Sequence, residues 1–167
     1  MTYLFCYDDH RSFIEDVRER FSDETRYKVE SFHTKLDFIN HCKKEMENRS
    51  CKVSLIVVPD AKEQFEMIDR LTQEIKRIDP KTGLILIVPV DKMEDLKKTV
   101  RFNIDAYIPR NANAIHRTHN TVKKLISEHS IAIFRKRRNF SFYVLLGFLL
   151  LVALVIFIAW LRFPQYF

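Results

Sequence analysis

The stretch Phe140–Leu161 (FSFYVLLGFLLLVALVIFIAWL) carries no charged side chain and is apolar on every face of any helix drawn through it. At about 1.5 Å per residue it spans roughly 33 Å as an α-helix, just over the ~30 Å hydrocarbon core of a bilayer. A buried core helix would be shorter and would keep a polar stripe, so the run is expected to be a single transmembrane helix. Tyr143 and Trp160 stand near its ends, where amphipathic rings favour the headgroup level. Arg135, Lys136, Arg137 and Arg138 precede it and only Arg162 follows. By the positive-inside bias the long N-terminal part faces the cytoplasm, residues 162–167 emerge on the far side, and the helix is a tail anchor. The opening residues MTYLFCYDDH have no basic region followed by an apolar core, so they do not read as a signal peptide.

Setting the anchor aside leaves about 139 residues, enough for one domain with a full core. The expected organisation is a globular domain over 1–128, a basic helical stalk over 129–139, the span over 140–161 and a short tail. The net charge of +6 does not call for nucleic acid, because the block before the span holds four positive charges and no DNA-reading motif is present. Anionic lipid accounts for that block, at ~1 kcal/mol per basic residue near the surface. Cys6, Cys42 and Cys51 lack CxxC or zinc-finger spacing and suit a reducing compartment.

The first 139 residues alternate short apolar runs with helical periodicities. Thr2–Tyr7 (TYLFCY) reads as a buried strand that stops at Asp8 and Asp9. Phe13, Ile14, Val17 and Phe21 mark a first helix, and Tyr27–Phe32 a second strand. Leu36, Ile39, Cys42 and Met46 mark the next helix, with Thr34 as N-cap. Val53–Val58 (VSLIVV) is a third strand, ending at Pro59 and Asp60, and the helix through Phe65, Ile68, Leu71, Ile75 and Ile78 stops at Asp79-Pro80. Leu84–Val88 (LILIV) is a fourth strand. Asp91 and Glu94 have capping-box spacing for a helix carrying Met93, Leu96 and Val100. Asp105–Ile108 makes a fifth strand, and from Ala112 a last helix runs past Ile131, Ile133 and Phe134 with no Gly or Pro before Gly147.

The fold class is therefore α/β, a doubly wound (βα)₅ parallel five-stranded sheet whose last helix continues into the membrane span. Such sheets bind ligands beyond the carboxyl ends of their strands, where Asp8, Asp9, Asp60 and Arg110 fall. Three carboxylates there suit Mg²⁺; the alternative is that they cap helices and stay solvated. His116 and His119, one turn apart, and the later His129 invite a metal or phospho-histidine reading, but zinc needs three or four ligands with an ordered second shell, and exposed histidines on a helix beside a basic segment are commoner. Asp8-Asp9-His10 lacks the Asp-x-Asp spacing of a phosphatase nucleophile.

Over about residues 2–130 this pattern resembles the receiver domain of bacterial response regulators. The resemblance implies Mg²⁺ on Asp8, Asp9 and Asp60, with Asp60 as phosphoacceptor, although Pro59 takes that place if the strand ends one residue earlier. The IKRIDP segment (Ile75–Pro80) favours Asp60. Two positions depart from the family. Val88 stands where a Ser or Thr hydroxyl is expected, and Arg110 where Lys is expected; its planar fork is broader than a compact ammonium. Tyr107 matches the aromatic of the fifth strand, which moves with activation in receivers. The expectation is thus a degenerate receiver, held at the bacterial inner membrane by the apolar run, that catalyses nothing and for which Mg²⁺ on the three carboxylates is the one cofactor the site could take. Its partners would be a membrane complex, membrane lipid or a second copy, met through the stalk and the face of the fourth helix, fifth strand and fifth helix, with Leu96, Tyr107 and Ile115. The alternatives are a working receiver that uses Asp60 to signal to a membrane partner, and a small structural subunit assembling through its transmembrane helix.

Overall fold

The computed structural model describes residues 1–8, 12–48, 50–100 and 104–162, with the side chains of Ser12, Lys62, Lys136, Arg137, Asn139, Ser141, Val155 and 158–162 left aside. The chain divides into two units, Met1–Ile126 and Ser127–Phe167.

In the first unit, strands β1 (Thr2–Tyr7), β2 (Tyr27–Phe32), β3 (Cys51–Val57), β4 (Gly83–Val88) and β5 (Ala106–Pro109) pair in the order β2-β1-β3-β4-β5, every pair parallel. Helices α1 (Ser12–Arg20), α2 (Lys35–Lys44), α3 (Phe65–Ile78), α4 (Met93–Thr99) and α5 (Ala114–Arg162) follow the strands in turn. The order reverses between β1 and β3, which is the switch point of an open α/β sheet.

Alternate strand residues feed two cores, as the two-residue strand period requires. Phe5, Tyr7, Ile56, Leu84, Leu86 and Val88 meet Phe38 of α2, Ile68 and Leu71 of α3 and Leu96 of α4. On the other face Leu4, Cys6, Val53, Leu55, Ile85 and Ile87 meet Ile14 and Val17 of α1 and Val122 of α5. The central strands β3 and β4 are buried along their whole length, which explains their near-continuous apolar sequence.

Local chemistry sets the helix ends. Thr34 caps α2, its hydroxyl accepting from the Asp37 N–H at 3.2 Å. Asp91 and Glu94 form no capping box: a 3₁₀ turn over Val90–Lys92 comes first, and Lys92 precedes α4 without a side-chain cap. The inward face of α2 differs from the periodicity reading as well. Phe38, Ile39 and Cys42 are buried, whereas Leu36 is 70% exposed, because two helical residues lie about 200° apart and the larger Phe38 takes the core.

In the second unit α5 continues to Arg162, and Ile131, Ile133 and Phe134 are exposed. Phe142, Tyr143, Leu145 and Phe148 are each more than half exposed, and a Cβ built at Gly147 meets nothing within 4 Å. Among the described residues no helix is long and apolar enough to cross a membrane. Within Phe140–Leu161 the longest described stretch of side chains is 142–154, short of the ~20 residues a span needs, so the described side chains do not cover the expected span as a whole.

Candidate functional site

The carboxyl ends of β1, β3, β4 and β5 come together at one edge of the first unit. β1 ends at Tyr7, paired with Ile56, so Asp8 continues level with Val57. Asp8 is 1% exposed, and the Nδ1 of His33 lies 3.0 Å from its carbonyl oxygen. His33 follows β2 directly and reaches this edge because β2 pairs with β1, a neighbourhood that the linear sequence does not reveal. Asp9 lies outside the described residues.

On β3 the ladder runs one residue past the strand: the Val58 N–H donates to Ile87 O at 2.9 Å, and Val58 is fully buried. Pro59, with no N–H to give, ends the ladder. Asp60 is therefore two residues beyond the last ladder bond, with its side chain 67% exposed. Val88, the last residue of β4, is fully buried and brings no hydroxyl to the edge. Its carbonyl accepts from the Arg110 N–H at 2.7 Å, which fixes the residue after β5 against β4.

From there the Arg110 side chain crosses to β3, and its Nη2 donates to Asp60 Oδ1 at 2.8 Å. Two residues fifty positions apart are thus joined at the sheet edge. A pair this exposed contributes under about 1 kcal/mol to stability, so it matters for where it puts charge rather than for holding the fold. Arg110 also lines an open cleft of about 370 Å³ with Phe13, Asn111 and Ile115.

Tyr107 is half-buried beside this edge. Its hydroxyl donates to Val100 O at 2.5 Å, and the Lys97 ammonium stands 5.6 Å from its ring centroid. Burial, then the Asp69 charge, pushes its hydroxyl pKa above the ordinary value. Leu96 is fully buried in the core with Tyr107, while Ile115 packs on the opposite core. Leu96 is thus not available for docking, and the three residues do not share one surface, because the sheet lies between α4 and α5. Arg135 and Arg138 are exposed on α5; the side chains of Lys136 and Arg137 lie outside the described ones.

The remaining reactive groups are occupied elsewhere. Burial pushes the Cys6 and Cys42 thiols to about 12 and Cys51 to about 11, so none is a thiolate at neutral pH. His119 packs against Phe21 at 5.4 Å between ring centroids, and burial, then Lys123, Arg20 and His116, holds its pKa below the ordinary value. His116 Nε2 lies 3.2 Å from the Asn120 amide nitrogen. Among the described residues no three His, Cys, Asp or Glu side chains gather into a set able to hold a metal ion.

Comparison with solved structures places the fold of the first unit. A response regulator receiver domain protein from Clostridium thermocellum superposes with a TM-score of 0.63 at 10% identity, over 79% of this chain and 99% of that one. The fold is the receiver fold. A CheY-like receiver domain protein from Methanospirillum hungatei matches with a TM-score of 0.55 at 16% identity, covering 79% of this chain and 98% of that one. The beryllium-fluoride-activated DrrB receiver domain gives 0.53 at 21% identity, over 74% and 98%. No family model and no curated protein matches the sequence.

Proposed function

We propose that this chain is a non-catalytic, membrane-anchored receiver-fold module that regulates or organises a complex at the inner membrane through protein contacts. The observation that carries the reading is Val88. Fully buried at the end of β4 and followed by Pro89, it leaves the strand-end edge without the hydroxyl through which a receiver couples phosphorylation to its surface. Tyr107 supports it, being tied to Val100 O and covered by Lys97. The output element is the helix beyond Ile126. Phe140–Leu161 carries no charged residue, and its described large side chains other than Val152 are exposed, as suits lipid contact. The basic block Arg135–Arg138 orients the domain to the cytoplasm. Ile131, Ile133 and Phe134, exposed just before it, are apolar contacts for a membrane partner or a second copy.

The test is to incubate the full chain in lipid nanodiscs with Mg²⁺ and acetyl phosphate and to follow its intact mass. No phosphoryl adduct is expected, and in native membranes the chain should resist alkaline extraction. A stable adduct at Asp60 would instead establish a working receiver, and release at alkaline pH would remove the anchor.

A further inference from the structure

The receiver fold implies a divalent cation held among carboxylates at the strand ends, and among the described residues no three His, Cys, Asp or Glu side chains gather into a set that fits one. Asp60 Oδ1 is already taken by Arg110 Nη2 at 2.8 Å. Val58 and Val88, level with each other where the register of β3 and β4 is continued, are both fully buried and offer no side-chain oxygen. A metal would have to displace a guanidinium that is tethered at its other end by the Arg110 N–H to Val88 O bond.

We infer that the Arg110 guanidinium is the resident cation of this edge, holding Asp60 in place of a divalent metal and shutting the edge to Mg²⁺. The inference rests on the non-catalytic reading above and deepens it, by naming what keeps the site closed. The charge arithmetic favours it. A fixed unit charge within hydrogen-bond reach of the metal's ligand repels a dication strongly even at surface dielectric, and removing it restores one free carboxylate. The guanidinium reaches Asp60 through the Nη2–Oδ1 bond, and an alanine side chain cannot reach it, so truncation frees that oxygen.

The experiment measures Mn²⁺ binding by electron paramagnetic resonance on the full chain in nanodiscs of zwitterionic lipid. Wild type is compared with Arg110→Ala, Arg110→Lys and the double variant Arg110→Ala with Asp60→Asn. Arg110→Ala should tighten Mn²⁺ binding by about tenfold or more over wild type. Arg110→Lys should gain less, and the double variant should return to the wild-type value because the regained ligand is Asp60. Equal binding by wild type and Arg110→Ala would overturn the inference, as would a gain that survives Asp60→Asn. Circular dichroism on each variant confirms that the comparison is between folded proteins. Phosphoryl uptake by wild type would overturn the functional reading, whereas failure of Arg110→Ala to gain metal overturns this inference alone.

Discussion

Lys52 lies within β3 with its side chain only 4% exposed, a place where an ammonium is tolerated only with a partner. Its Nζ donates to Asp79 Oδ2 at 2.8 Å and to Met46 O at 3.1 Å. Breaking a buried pair costs more than replacing both members, since the survivor keeps its desolvation penalty. Asp79→Asn should therefore lower stability by about 3 kcal/mol in urea unfolding, whereas the double change Lys52→Met with Asp79→Asn, which leaves no buried charge behind, should cost less than that single change. For Asp79, burial raises the pKa, but hydrogen bonds from Lys52 and the Lys81 N–H outweigh it, so the net shift is downward from 3.8. A depressed folded-state pKa stabilises above the ordinary carboxylate value and loses that contribution as pH falls through the depressed one. The stability gap between wild type and Asp79→Asn should thus be full at pH 6 and shrink below about pH 4; a gap independent of pH would exclude this role for the carboxylate. None of this is legible in the sequence, where Lys52 looks like a polar break and the expected strand starts at Val53. The partner that makes Lys52 acceptable lies 27 positions away.

Elements were legible in proportion to how much their own residues decide. β1 and β2 coincide with the expected strands Thr2–Tyr7 and Tyr27–Phe32, because the first is a short apolar run cut off at Asp8 and the second places Tyr27 and Val29 on one face by simple alternation. The N-cap at Thr34 is equally local. The face of α2 and the start of α4 were not, since they depend on which side chain wins space against the sheet and on how the chain leaves β4. Gly83 shows the same dependence on a distant element. A Cβ there would stand 2.8 Å from Leu125 Cδ1 on α5, too close without movement of that side chain. Leu125 is half-buried on the core, so it yields at a cost. Gly83→Ala should destabilise by about 1 kcal/mol, and combining it with Leu125→Ala should cost less than the sum of the two single changes. Strict additivity in the double-mutant cycle would show that the two do not meet.

For the molecule as a whole, the doubly wound sheet was readable from the alternation of runs, but the sites were readable only as a list. Asp8, Asp60 and Arg110 belong to one edge because β1, β3 and β5 are parallel, and that Arg110 touches Asp60 depends on register set by Val88. Leu96 looked like a docking residue for the converse reason: periodicity marks an apolar face without saying that the sheet already covers it. The second unit poses the opposite case, since its information is almost wholly in the sequence. If the uncharged run Phe140–Leu161 is the proposed membrane anchor, its flanks, Arg135, Lys136, Arg137 and Arg138 on one side and Arg162 on the other, would set its orientation by their imbalance. Reversing the imbalance should reverse the topology. Changing those four residues to Gln and inserting four Lys after Arg162 should move the receiver-fold unit to the far side of the membrane in a large fraction of molecules. Protease added to inside-out vesicles should digest that unit in wild type and spare it in the variant. Equal digestion of both would mean that folding of the first unit before insertion, rather than the flanking charge, decides which side it occupies.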